Sequence, residues 1–307
     1  MQKARIGGYG LVLIAAALWA TMGLFYKGLM AAELAPITII FWRAGVAALI
    51  LFLTLGLQRR GKLHVDKSDW PLFLGFGAIG VATFFVIYIY AIKLTGMGVA
   101  AVLMYTAPAW VTVLSTFLFH ERLTARKGLA LLLAVAGCAL VGKVYDLDGI
   151  TLNLPGLLVG LAAGLTYGFY ILFCKAVADR GYNAWTALAY GLGIGALCLL
   201  PFQTVGELRI IVTSPEILLW IAILGLVPTL GGGAAFNAGL HSVPASDASI
   251  VATLEPAIAT FLGWAFMGEH LDPPQILGAG LILAAVVVLQ VREVNAETQR
   301  SKNTEKN

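Results

Sequence analysis

Residues 105–141, YTAPAWVTVLSTFLFHERLTARKGLALLLAVAGCALV, lie over residues 253–289, TLEPAIATFLGWAFMGEHLDPPQILGAGLILAAVVVL, at a shift of 148 without a gap. Nine of the 37 positions coincide. Leu and Ala matches carry little weight in so apolar a chain, so the argument rests on Pro108/Pro256, Thr112/Thr260 and Glu121/Glu269. Lys27 and Lys175 obey the same shift near the ends of two other apolar runs. The chain therefore reads as an internal duplication.

The composition says what is duplicated. Of 307 residues, 60% are hydrophobic and 12% are charged, about half the charged share of a water-soluble domain. The apolar residues arrive in blocks of membrane-spanning length. Ten spans follow: 9–29, 36–57, 71–92, 98–119, 127–142, 156–178, 185–202, 217–239, 247–267 and 275–291. The runs are continuously apolar instead of alternating with period two, so they read as helices and not barrel strands. The expected fold is all-α, a polytopic integral membrane protein of ten transmembrane helices.

Five helices per copy is an odd number, so the second copy must enter the bilayer in the opposite sense. Two inverted five-helix repeats, here 1–148 and 149–292 with a polar tail at 293–307, are an architecture typical of secondary transporters. Counting Lys and Arg on alternate sides gives 15 on the side of the N-terminus against 4 on the other, which places both termini in the cytoplasm. The expected location is a cell membrane, inner or plasma, multi-pass. The Ala-rich stretch near Ala31 could pass for a signal-peptide cleavage site. The repeat argues against that, because the first span has a counterpart.

Charges and breaks within spans are scarce and each needs an account. Pro108 and Pro256 bend spans four and nine at matched positions, and Pro228, followed by Gly231, Gly232 and Gly233, breaks span eight. Glu255 lies about 13 Å into span nine, where its counterpart is Ala107. A carboxylate at that depth suits a cationic group or a proton, or a fixed structural partner. Phe84 and Tyr88 share a face of span three; Tyr105, Trp19, Tyr167 and Asn237 add aromatic and polar groups to a candidate cavity lining. An interface belt or bundle core accounts for the same residues. Arg43 reads as a helix anchor that snorkels to the nearer interface. Glu121 and Glu269 read as helix-capping groups at the starts of spans five and ten. Gly156, Gly160, Gly164 and Gly168 give span six one smooth packing face.

Several classes of function fall away. There is no basic stripe for nucleic acid. Gly75, Gly77 and Gly80 spell G-x-G-x-x-G inside a span, with no preceding strand to make a dinucleotide fold. Residues 137–144 resemble a phosphate loop but lack its Ser/Thr. Cys138, Cys174 and Cys198 are scattered through apolar runs, without a His cluster, and read as buried small residues rather than disulfides or metal ligands. No cofactor or metal is expected, and no enzyme activity; a membrane-integral enzyme or a non-transporting scaffold subunit remains as the alternative class.

With these positions in hand, the chain resembles the EamA branch of the drug/metabolite transporter superfamily. The resemblance is carried by Leu18-Trp19-Ala20 with Lys27, Arg43, Tyr90-Ala91 with Ala100 and Pro108, and Glu121 with Leu123. In the second half it is carried by Leu254-Glu255-Pro256, Gly268-Glu269 with Leu271, and Gly278. It spans roughly residues 8 to 291. The family often has Gly where this chain has Ala20, which narrows the close approach there. The resemblance implies an exporter or exchanger of small metabolites such as amino acids. It further implies a central cavity between the repeats, with a small-molecule substrate and a lipid bilayer as partners; a gradient of protons or of the substrate is the expected driving force. It leaves the transported compound and the oligomeric state open.

Overall fold

The computed structural model describes residues 2–58, 63–146 and 153–304, and among these every regular element is helical. Ten helical passes succeed one another. They are α1 Arg5–Ala31, α2 Pro36–Leu57, α3 Lys67–Thr95, α4 Met97–Leu118, α5 Ala125–Val141, α6 Leu154–Asp179, α7 Ala184–Phe202, α8 Pro215–Leu240, α9 Ala245–Met267 and α10 Pro273–Thr304. Eight of them are long and apolar enough to cross a bilayer. The other two, α5 and the apolar part of α10, Pro273–Leu289, have 17 residues each, about 25 Å of helix. They pack against one another along their length. The region expected as a tail continues α10 as helix to Thr304; residues 305–307 lie outside the described ones, as do Arg59, Arg60 and Lys62 of the charge count.

The helices stop where the sequence provides stops. Thr124, Asn153 and Asn183 cap α5, α6 and α7 with their side-chain oxygens. Gly181 and Gly268, at φ +82° and +68°, turn the chain out of α6 and α9. Their counterparts at the shift of 148 are Glu33 and His120, and these two hold the same left-handed backbone at φ 61° and 54° without being glycine. The duplication thus survives in backbone geometry where side chains have diverged.

Helix interruptions repeat as well. Wide π turns occupy Phe76–Thr83 in α3 and Gly225–Gly232 in α8, one register step from the shift of 148. Pro228 lies inside the second. The pass α4 is two helices, Met97–Met104 and Ala107–Leu118, and α9 is likewise Ala245–Ala252 and Leu254–Met267. Pro108 and Pro256 fall in the first turns of the second halves, where a missing N–H costs least. The symmetry fails between α1, interrupted at Thr21, and the unbroken α6.

The repeats are inverted. Glu121, just past α4, accepts hydrogen bonds from the backbone N–H groups of Ala245 (2.7 Å) and Ser246 (3.3 Å), which begin α9, the counterpart of α4. Lys143, just past α5, pairs at 2.7 Å with Asp272 at the start of α10. Counterparts therefore run antiparallel. The packing obeys the same two-fold relation: α1 lies against α8 and α9, as α6 lies against α3 and α4. Glycines set these approaches. A Cβ on Gly137 or Gly278 would meet the other's carbonyl oxygen at 2.6 and 2.7 Å, so α5 and α10 touch backbone to backbone. The glycine face of α6 presses on Leu103, Thr106 and Trp110 of α4.

Three expectations are corrected here. Glu121 does not cap α5, which Thr124 does; its carboxylate reaches the start of α9, because the inversion brings that terminus alongside. Arg43 does not snorkel: it is 4% exposed and turned inward, on the face that also carries buried Ile40, Ala44 and Ala47. Cys138 and Cys174 are buried as expected, whereas Cys198 is exposed.

Candidate functional site

The middle of the bundle holds a ladder of aromatic rings. Tyr88 stacks on Phe84 (centroids 5.9 Å apart), Phe84 on Tyr167 (5.1 Å), Tyr167 on Tyr170 (6.1 Å) and Tyr170 on Phe236 (6.4 Å). Trp19 closes the end against Phe236 at 5.1 Å. The helical period of α3 puts Phe84 and Tyr88 on one face, and Gly80 of the same helix, where an added Cβ would come within 3.0 Å of Tyr170 Cα, lets α6 come close to it. Four residues singled out in the sequence, Trp19, Phe84, Tyr88 and Tyr167, are thereby joined in one structure. Tyr170 was not legible as a partner, because nothing in the uniformly apolar α6 marks which aromatics turn inward.

Two charged groups face this ladder. The Glu255 carboxylate is approached by the Tyr105 hydroxyl and lies within electrostatic reach of Arg43. Glu255 is partly buried, as are Tyr26, Tyr88 and Tyr170. The break at Thr253 and the ring of Pro256 set the helix turn from which Glu255 projects. Pro108 is buried one turn beyond Tyr105, and Pro228 is buried in the π turn of α8. Asn237 stands apart: it is 1% exposed and donates to the Gly233 carbonyl at 2.9 Å. Its neighbour is Cys174 rather than Glu255, and its Oδ1 has no partner.

Arg43 was the unrecognised member. Its Nη1 donates to Thr229 Oγ1 at 2.9 Å and its guanidinium lies over the Phe85 ring, 4.7 Å from the centroid. Thr229 is held in turn by the Leu224 carbonyl at 2.8 Å, a bond that spans the π turn. The widened turn in α8 thus presents a hydroxyl to the arginine.

A buried polar network ties one end of the bundle together. At the face that carries the N-terminal end of α1, Tyr9 donates to Asp247 at 2.6 Å, and Lys127 pairs with Asp247 at 3.0 Å and with Glu121 at 3.3 Å. Ser246 accepts from Lys127 at 2.5 Å and donates to Glu121 in a very short contact. Burial pushes the Glu121 carboxyl up, but the Ser246 hydroxyl, the Lys127 ammonium and the Ala245 N–H outweigh it and hold the group below the usual carboxylate value. Towards the opposite face, Tyr26 and Tyr88 keep their accessible surface. There Glu207, on the short helix Val205–Thr213, binds the Ala35 N–H at 2.7 Å and Thr38 at 2.9 Å. A shallow groove of about 370 Å³ between Leu29 and Trp220 also opens at that face, away from both charges. Among the described residues no group of three or more His, Cys, Asp or Glu is placed to hold a metal ion.

The comparisons with known proteins agree with this architecture. A solved crystal structure superposes with a TM-score of 0.79 over 97% of this chain and 99% of its own, at 18% identity, which shows the fold alone. The uncharacterized transporter YwfM of Bacillus subtilis (strain 168) is 29% identical over 91% of this chain and 92% of its own length. An uncharacterized transporter of Archaeoglobus fulgidus is 34% identical over 66% of this chain and 70% of its own. The profile of the EamA-like transporter family matches twice, at residues 6–143 and 154–291, both ends displaced by the same 148 residues that relate the quoted stretches. This chain, a ten-helix membrane protein built of two inverted copies of one unit, belongs to the EamA-like transporter family.

Proposed function

We propose that the protein is a secondary transporter, an exporter or exchanger of small metabolites such as amino acids or related compounds. It works by alternating access around the interior lined by Glu255, Tyr105, Tyr88, Phe84, Tyr167 and Trp19. The observation that carries the reading is a partly buried carboxylate within a membrane-spanning helix, near a ladder of aromatic rings, with a buried polar network across one end of the bundle. A lining of rings with few charges fits a solute with an apolar body and one or two polar ends. The Lys and Arg bias puts both termini in the cytoplasm, so the closed end is cytoplasmic and the arrangement is outward-facing. The Pro-started half-helices and π turns of α3, α4, α8 and α9 are the elements that bend as the repeats rock, with the glycine face of α6 as seam. Glu255 serves as the proton-exchanging or amine-binding group of the cycle.

The test is efflux from proteoliposomes loaded with candidate solutes, with and without a pH gradient. Glu255→Gln keeps the shape and removes the charge, so flux or its pH dependence should fall tenfold or more while expression and monodispersity stay near wild type. An unchanged profile rejects the role of Glu255. The readings as a membrane-integral enzyme or a scaffold subunit predict no flux in the same vesicles.

A further inference from the structure

The two ends of the bundle are packed differently, although the sequence duplicates them. At one end the second half of α4, Ala107–Leu118, lies against the first half of α9, Ala245–Ala252, and all 8 residues of that α9 segment are buried. The shift of 148 gives each segment a counterpart, Leu254–Met267 in α9 and Met97–Met104 in α4. Among the described residues no comparable contact joins this second pair, and only Val99, Ala100 and Met104 of Met97–Met104 are buried. One crossing of α4 with α9 is made, and its counterpart is not.

The crossing that is made is fastened by Glu121, which accepts from the Ala245 and Ser246 N–H groups. These are the first donors of α9 and have no partner within the helix, and a negative charge beside them also meets the positive end of the helix dipole. The corresponding groups at the other end are Glu269 and the N–H groups of Met97 and Gly98. Glu269 is exposed, in the turn after α9, and a Cβ at Gly263 would meet its Oε2 at 2.5 Å. Its carboxylate thus rests against its own helix, at a place that Ser115 fills in the first repeat. Met97, which opens α4, is 64% exposed.

The two sets of groups differ in strength. Lys127, Asp247 and Ser246 correspond to Gln275, Val99 and Gly98. Gln275 is already committed locally, donating to the Val141 carbonyl at 3.1 Å and accepting from the Asp272 N–H at 3.1 Å. No ammonium stands where Lys127 joins the carboxylates of the first set.

We propose that Glu269 is the gate residue of the other end: when Met97–Met104 and Leu254–Met267 close on each other, its carboxylate leaves Gly263 for the Met97 and Gly98 N–H groups, and Glu121 releases Ala245 and Ser246. The inference rests on the transport reading above and names the contact that holds its opposite state. Because the second fastening lacks the lysine, aspartate and serine of the first, it is the weaker, and the arrangement seen here is the resting one.

The test uses the full-length protein in nanodiscs, with the three native cysteines replaced and Ser249→Cys as reporter. Ser249 is 2% exposed, so a thiol there reacts with a charged maleimide only while the crossing at Ala245–Ala252 is parted. Glu121→Gln should raise the labelling rate threefold or more, Glu269→Gln should lower it threefold or more, and the double variant should fall between. Loosening of the fold can only speed the reaction, so the fall in rate separates a gate from a structural role. Met97→Pro removes a proposed donor at the first position of a helix, where proline is tolerated, and should lower the rate as well. It carries the test if Glu269→Gln does not fold. An unchanged or raised rate in either folded variant overturns the proposal, as does a reporter that stays unreactive in Glu121→Gln. Flux from vesicles loaded with a whole-cell metabolite extract keeps the two levels apart. Protein-dependent flux with an unchanged rate in Glu269→Gln overturns the gate and leaves transport standing, whereas rates that move as expected without flux of any solute support the switch and overturn the transport reading.

Discussion

Lys127 Nζ stands 3.0 Å from Asp247 Oδ1, so an ammonium at the start of α5 in the first repeat is tied to a carboxylate at the start of α9 in the second. Lys127 and Asp247 are 7% and 1% exposed. Because Glu121 shares the same lysine at 3.3 Å and binds the first N–H groups of α9, two connections from opposite repeats are stapled together at one face. In the alternating-access cycle proposed above, this is the contact expected to part.

Removing the lysine should therefore be costly. Lys127→Met leaves two enclosed carboxylates without their cation, and breaking a buried pair from one side costs about 3–5 kcal/mol. Thermal unfolding in detergent should show a large fall in Tm. Lys127→Met combined with Asp247→Asn should lose less than Lys127→Met alone. A wild-type Tm for Lys127→Met would remove the network as a structural element.

The same network predicts an acid dependence. The Glu121 carboxyl is held below its ordinary value of 4.5, because the Ser246 hydroxyl, Lys127 and the Ala245 N–H together outweigh burial. A carboxylate whose folded value is depressed contributes stability that is fully present above the unfolded value and is lost as pH falls through the folded one. Wild-type stability should thus decline below about pH 4.5. Glu121→Gln should be less stable at neutral pH and flatter in acid, with the two curves converging at low pH. Parallel curves would show that Glu121 does not carry the dependence.

The seam between α4 and α6 admits no added carbon at its centre. A Cβ at Gly164 would press on Thr106 Oγ1 and come within 2.6 Å of the Leu103 carbonyl, whereas one at Gly10 meets nothing within 4 Å. Gly164→Ala should cost about 1–3 kcal/mol as an overpacking substitution, and Gly164→Leu more. Gly10→Ala should cost nothing measurable. If transport falls further than folded yield in Gly164→Leu, the seam also moves during the cycle; equal losses would make it packing only.

Orientation can be read by single-cysteine labelling from outside intact cells. The background must lack Cys198 above all, since it is the exposed native cysteine. A cysteine at Asp146, beyond α5, should label, and one at His120, in the turn after α4, should not. The reverse pattern would place the Lys127 network on the outside and invert the assignment of the closed end.

Much of the architecture was legible because membrane insertion writes itself into sequence. An apolar run must match the bilayer thickness, so the ten passes show as ten runs; an odd repeat forces inversion, so Pro108/Pro256 and Glu121/Glu269 were enough to find the two-fold relation. Glu255 stood out for the same reason, as a charge where charges are expensive. The destination of Glu121 was less visible: its spacing from Thr124 fits a local cap, and only the antiparallel placement of α4 and α9 sends it to Ala245 and Ser246 instead.

The sequence by itself determined the number of passes, the inverted pairing and the depth of each charge, because these depend on the one-dimensional order of apolar and polar residues. The tertiary structure decided which way each side chain turns. Lipid is as apolar as the bundle interior, so α2 and α6 carry no polar stripe to distinguish the two faces. Only packing aims Arg43 at Thr229, buries Cys174 while leaving Cys198 exposed, and lines up Tyr88, Phe84, Tyr167 and Tyr170. The π turns of α3 and α8 belong to the same class: their glycines are plain in the sequence, but the wider turn is fixed by neighbours such as Ile194 against Gly77 and Trp19 against Gly232.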